Sequence, residues 1–312
     1  MIIQTGMRTD IPAFYSEWFL NRIKEGYVLV RNPYNEHQVT KYSLSPDVVD
    51  LIAFCTKNPA PMLDYMDQLT PYGQYWFVTI TPYGKDIEPN VPEKEKVIED
   101  FQRLSEIVGV DSVGWRYDPI FVDLEHSVKW HIRNFEKMAE KLSGYTKTCV
   151  ISFIDIYKKV ERNFPQARRV SRENRNILGK EMIEIAKEYH ITIRPCAEGK
   201  ELEKHGADCS GCMTINMFEQ ALHANLDIPK QKTNQRKGQC ACLLGIDIGA
   251  YDTCGHFCKY CYANTNKNLV MENMRKHDVM SPFLIGKSME GDIIHEAKQT
   301  SWIDQQMRLP FF

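Results

Sequence analysis

The chain has 312 residues, 43% of them hydrophobic and 26% charged, enough to enclose one large core and unlike a disordered or collagen-like composition. Lys and Arg total 39 against 41 Asp and Glu, a net charge of −2, so a nucleic-acid or membrane surface would have to be local. No apolar run approaches the roughly 18–20 residues of a membrane span, and MIIQTGMRTD lacks a basic-then-apolar signal pattern, so a cytoplasmic protein with no membrane contact is expected.

In chain order, short β-branched or aromatic runs fall at residues 2–5, 28–31, 51–55, 75–80, 113–117, 149–154, 191–194 and 244–248, which reads as eight candidate strands. Between them run stripes of helical period: Val97, Phe101, Leu104 and Val108, then Val128, Ile132, Phe135, Ala139 and Leu142, with Gly109 and Gly144 as stops. An earlier helix opens after Asp10 as N-cap with Pro12 in its first turn, and Met182, Ala186 and Tyr189 mark a later one. Alternating strands and helices imply an α/β fold with a parallel sheet, and eight units would close it as a TIM-like (β/α)8 barrel over residues 1–312. The second unit is the weakest, because residues 33–48 offer only a short helical start, and an open α/β sheet is the alternative. Residues 197–243 read as a long cysteine-bearing insertion before the last strand.

Eight of the ten cysteines follow residue 195, which suits ligands better than a disulfide framework in a reducing compartment. Cys254, Cys258 and Cys261 form a C-x3-C-x2-C loop just after the last strand. A compact loop with three thiolates can hold a cubane iron–sulfur cluster and leave one iron open. Structural zinc needs a fourth ligand, for which His256 inside the loop is awkwardly placed.

This motif, with Tyr260 before the third cysteine and the run Tyr-Cys-Tyr-Ala-Asn at 260–264, resembles the radical S-adenosylmethionine (SAM) enzymes, and especially the branch of spore photoproduct lyase. The resemblance implies a [4Fe–4S] cluster on the three cysteines, SAM on the open iron, reductive cleavage to a 5′-deoxyadenosyl radical, and an electron donor such as flavodoxin or ferredoxin. In that superfamily the motif follows the first strand, not the last, so the order here is that of a circular permutation. Arg8-Thr9-Asp10-Ile11-Pro12, Thr56-Lys57-Asn58-Pro59 and the late cysteine loop together resemble an uncharacterised bacterial family over nearly the full length. The superfamily's Gly-Gly-Glu is missing. In its permuted place stand Arg8 and Asp10, expected to meet the carboxylate and ammonium of SAM, while Tyr260 would offer a surface for adenine. Asp10 as a helix cap alone is the alternative, and the two roles can coexist.

Cys196, Cys209, Cys240 and Cys242 suggest a second iron–sulfur cluster or a zinc site, with Cys212 as reserve; spacing does not separate the two metals. Cys55 and Cys149 read as packed core thiols. Polar residues at strand ends are the candidates for holding SAM or substrate in a barrel: Lys57, Arg116, Asp118, Asp155, Tyr157 and Glu198. Arg116 and Asp118 lie on one side of an extended strand and can equally pair with each other. Residues 158–180 carry eight basic residues against two acidic ones, useful for a phosphate-bearing or nucleic-acid substrate, though more often a solvated face. Three functions compete: a radical SAM enzyme acting on an unknown substrate, a non-catalytic iron–sulfur or zinc protein, and a radical SAM enzyme for nucleic-acid lesions.

Overall fold

The computed structural model describes residues 1–229, 242–243 and 245–304. Its strands are β1 (Ile2–Gln4), β2 (Tyr27–Asn32), β3 (Asn35–Ser43), β4 (Leu51–Thr56), β5 (Gly73–Thr79), β6 (Val113–Ile120), β7 (Thr148–Phe153), β8 (Thr192–Pro195), β9 (Ile246–Asp247) and β10 (Ile293–Glu296). The helices are α1 (Ile11–Phe14), α2 (Ser16–Glu25), α3 (Ala60–Leu63), α4 (Lys94–Val108), α5 (Val128–Leu142), α6 (Lys158–Asn163), α7 (Arg172–Glu188), α8 (Ile215–Leu222) and α9 (Lys267–Arg275). Among the described residues no helix is long and apolar enough to cross a membrane.

Seven strands make one parallel sheet in the order β8-β7-β6-β5-β4-β1-β9. The central strands β4 and β5 are near-continuous apolar runs, Leu51-Ile52-Ala53-Phe54 and Tyr75-Trp76-Phe77-Val78, all eight side chains being buried. Both faces are therefore covered. From β1 through β4, β5, β6 and β7 to β8 the sheet grows in one direction, and β9 lies on the other side of β1. No pairing joins β8 to β9 among the described residues. Between them runs the segment 207–213: Asp208 N–H donates to Ile193 O (2.9 Å), and Met213 O accepts from Leu243 N–H (2.8 Å).

The eight-strand expectation fails at residues 28–31. They belong to β2, which pairs antiparallel with β3, and β10 completes a separate three-stranded sheet. Residues 35–43, expected to contain no strand, are polar except at Val39 and Tyr42, and Val39 is buried against Leu29 and Phe283 in a small second core. A β-branched run has the same composition in either sheet, and only its partners distinguish the two.

The helical stripes point inward as expected. Val97, Phe101 and Leu104 on α4, and Phe135, Ala139 and Leu142 on α5, are buried, while Val108, Val128 and Ile132 are half-buried. Gly109 and Gly144 follow with φ of +87° and +82°, where a side chain would be strained. The expected helix after Asp10 is two helices, α1 capped by Asp10 and α2 closed by left-handed Gly26.

His131 on α5 is fully buried. Its Nε2–H donates to Phe121 O (2.7 Å), which leaves Nδ1 to accept from Tyr117 OH (2.8 Å). Burial lowers its pKa from 6.5 to about 4. As pH falls through the unfolded value, the unfolded chain takes up a proton that the folded chain refuses until about pH 4. Stability should therefore drop by up to about 3 kcal/mol over this window. Denaturant midpoints measured across it should show the loss in the wild type and not in His131→Gln; parallel pH profiles would contradict the assignment.

Candidate metal centre

The C-x3-C-x2-C loop follows β9 and lies over the carboxyl ends of β1, β4 and β5. Asp252 and Phe257, neither of them glycine, hold φ near +57° and +55°, a left-handed conformation that costs roughly 1–2 kcal/mol each. The loop is pinned on every side. Asp252 accepts from Thr265 Oγ1 (2.9 Å), and Asn273 Nδ2 donates to Asp252 O (3.0 Å). Tyr15 OH donates to Thr253 O (2.6 Å), Asn264 Nδ2 to Cys254 O (2.8 Å) and Asn90 Nδ2 to Gly255 O (2.8 Å). Lys159 on α6 donates to Ala263 O (3.0 Å).

Cys258 is buried, and Cys254 and Cys261 are half-buried. Burial raises the pKa of all three thiols; Cys254 is pushed further up by Cys261, Asp10 and Cys258, and Cys258 by Glu88 and Cys261 against the pull of Lys57. Three neighbouring thiols so placed resist ionising together, and a bound cation would reverse that balance. Cys261 Sγ already accepts from Ala263 N–H (3.3 Å). Among the described residues no three His, Cys, Asp or Glu side chains surround a point as a single bound ion requires.

Beneath the loop, Glu88 is fully buried and takes donors from four directions. Its Oε1 accepts from Lys57 Nζ (2.8 Å), Thr81 Oγ1 (2.7 Å) and Tyr260 OH, and its Oε2 accepts from Lys94. Lys57 also lies 5.5 Å from the centre of the Tyr260 ring. Burial alone would raise the Glu88 pKa, but Lys57 and Lys94 bring it down to about 2. Lys57 and Tyr260, singled out in the sequence, thus converge here with Cys258, joined by Glu88 and Lys94, which the sequence did not reveal. Glu88 sits in a proline-bearing loop with no periodic signal. Only its burial shows its role.

Asp10 is committed to protein partners. Its Oδ1 caps Ala13 N–H (3.0 Å), and its Oδ2 accepts from Lys57 N–H (2.8 Å) and His256 Nε2 (2.9 Å). It is 5% exposed. These bonds make Asp10 a clamp that fastens the thiol loop to β1 and β4. His256, weighed as a zinc ligand, is the other half of that clamp, with Nδ1 toward Asn90 O (3.4 Å). Gly6 allows the close approach of β1 to β4, since a Cβ there would lie 2.1 Å from Cys55 O.

Arg8, expected to meet the SAM carboxylate, instead pairs with Asp247 at the end of β9, through Nε to Oδ2 (2.5 Å) and Nη2 to the main-chain O (2.5 Å). Arg116 and Asp118 form the internal ion pair weighed as their alternative, with Ser152 donating to Asp118. Glu198 lies elsewhere, joining β7 to α7 by accepting from Phe153 N–H (2.8 Å) and Arg175 (3.3 Å). Much of the basic run at 158–180 is likewise paired: Lys159 with Asp252 (3.9 Å), Arg172 with Glu201 (2.9 Å) and Arg175 with Glu198.

The remaining cysteines divide differently from the expectation. Cys212, held in reserve, lies against Cys196 and Cys242. Cys209 does not join them; its charged neighbours are Glu203, Asp208 and Lys200. Cys240 lies outside the described residues. Cys149 is buried in β7 as expected, and Cys55 is half-buried in β4.

These features define an α/β protein of parallel strands with a three-cysteine loop after the last strand of its main sheet. Residues 2–263 match the family described as a domain of unknown function, DUF1848, and the chain belongs to that family. The matched span runs from β1 to just beyond Cys261. No curated protein matches the chain.

Proposed function

We propose that the protein is a radical SAM enzyme whose cluster is held by Cys254, Cys258 and Cys261. The observation that carries this reading is the joining of three mutually interacting thiols, one buried and two half-buried, by one strained and heavily braced loop at the carboxyl ends of parallel strands, where α/β sheets take their ligands. When bound, a [4Fe–4S] cluster with SAM on its open iron supplies one-electron reductive cleavage of SAM and hydrogen abstraction from a substrate, the electron coming from a flavodoxin- or ferredoxin-like donor.

The chain's own residues supply position and dielectric. The Asp10–His256 bond sets the loop against β1, and Lys57 brings positive charge toward Cys258 and Cys261. Tyr260, anchored on Glu88, walls the site from below. Three buried polar atoms on the two segments joined by the clamp have no partner among the described residues: Thr5 Oγ1, Thr9 Oγ1 and Asn264 Oδ1. Buried polar atoms are rarely left unpaired, so these are suited to the amino and carboxylate groups of a zwitterionic ligand. The pairing of Arg116 with Asp118 leaves a neutral couple in the mouth for orienting a polar substrate.

Anaerobic reconstitution with iron and sulfide should give a reduced-cluster EPR signal that SAM perturbs. Cys258→Ala should lack that signal. A wild-type protein that binds zinc at these thiols and no iron would overturn the reading in favour of a non-catalytic metal protein.

A further inference from the structure

A second set of thiols meets in the opening between β8 and β9, each brought there by a separately fastened segment. Cys196 extends β8, its N–H bonded to Ile151 O on β7 (2.8 Å). Cys212 ends a short loop held down by Arg194, which pairs with Asp208 (2.7 Å) and donates to Ser210 Oγ (3.2 Å) and Gly211 O (3.1 Å). The loop turns at Gly211, where φ is +125°, a conformation open to glycine and few other residues. Cys242 precedes Leu243, whose N–H is bonded to Met213 O (2.8 Å). These anchors leave Cys212 Sγ 3.4 Å from Cys196 Sγ and 3.1 Å from Cys242 Sγ.

We propose that Cys196, Cys212 and Cys242 are the protein ligands of a second, thiophilic metal centre, distinct from the C-x3-C-x2-C loop. Packing alone would explain one buried cysteine, since a thiol behaves as a small apolar group. It does not explain three that converge from three segments. A disulfide would use two of the sulfurs and leave the third, whereas a metal uses all three. Cys212 Sγ now touches the other two sulfurs, too close for three ligands of one ion, so the trio is not a preformed ion site; thiolates about 2.3 Å from a tetrahedral zinc would stand roughly 3.8 Å apart. A small outward turn of each side chain makes room. On binding, each thiol proton passes to water as its sulfur bonds the metal, with no change of oxidation state. Arg116, whose side chain is 12% exposed and paired with Asp118, lies within electrostatic reach of Cys196 and Cys212. Zinc and an iron–sulfur cluster share this thiolate chemistry.

The test does not depend on what the first loop binds. Metal and acid-labile sulfide are counted after anaerobic reconstitution in one series with iron and sulfide and in another with zinc. The proteins compared are wild type, Cys258→Ala and Cys212→Ser, with Cys196→Ser as the milder, half-buried substitution should Cys212→Ser fail to fold. Cys258→Ala should keep the second centre, and Cys212→Ser or Cys196→Ser should lose nearly all of it while retaining the SAM-perturbed signal. Iron with matching sulfide would identify a cluster, and metal without sulfide would identify zinc; either result supports the site. If only Cys212→Ser lowers the metal count, the second centre stands and the radical SAM reading fails. Unchanged metal in the correctly folded variant would overturn the proposal. So would a Cys258→Ala protein that takes up no metal, or a disulfide within the trio in protein kept anaerobic.

Discussion

Glu88→Gln should lower the free energy of unfolding by about 3–5 kcal/mol, the cost of breaking a buried charge cluster by removing one partner. The amide keeps one oxygen for Lys57, Thr81 and Tyr260, but its NH2 then faces the Lys94 ammonium. Two largely buried lysines are left without their counter-charge. The same contacts govern the acid response of the wild type. Glu88 has a folded pKa of about 2 against an ordinary 4.5, so its contribution is present above the unfolded value and is lost as pH falls from about 4.5 toward 2. That contribution is worth roughly 3 kcal/mol. Chemical denaturation near neutral pH should show the lowered midpoint, and acid titration should show the Glu88 slope in wild type and not in Glu88→Gln. A variant as stable as wild type would mean that Glu88 is not the centre of this network.

Asp10→Ala should be nearly as damaging, by about 3–5 kcal/mol, because it removes a helix cap and orphans two buried donors. The cap is on Ala13 N–H, and the donors are Lys57 N–H and His256 Nε2. Asp10→Asn should recover part of the loss. The imidazole can exchange its proton between nitrogens and accept from the new NH2 group, but one main-chain N–H, at Lys57 or Ala13, stays without an acceptor. The remaining cost is about 1–3 kcal/mol. Stability should thus be highest in the wild type, lower in Asp10→Asn and lowest in Asp10→Ala, with cluster retention following the same order. Wild-type stability with weakened SAM binding in Asp10→Asn would support the ligand role and contradict the clamp.

The sequence was most informative where the controlling interactions are local. The stripes of α4 and α5 repeat with the helical period, and the three-cysteine spacing carries its own chemistry within eight residues. Residues 28–31 misled because a β-branched run does not say which sheet it joins, and the partner that decides, β3, is a polar-looking segment. Cys209 and Cys212 stand in equal spacing to any ligand set. The choice between them is made by Arg194, which fastens Gly211 and turns Cys212 toward Cys196. Asp10 looked equally suited to capping and to binding SAM; its third partner, His256, lies 246 positions away, beyond any local pattern. Glu88 was hidden for the same reason, its lysines coming from a strand end and a helix start. The pairing of Arg8 with Asp247 likewise depends on β9 lying beside β1.

The most direct test of the central claim is the EPR spectrum of anaerobically reconstituted, dithionite-reduced protein with and without SAM, read beside its iron and sulfide content. The account predicts a cubane signal that shifts on adding SAM and disappears in Cys258→Ala. A cluster whose spectrum SAM leaves unchanged, with no cleavage of SAM on reduction, would contradict it.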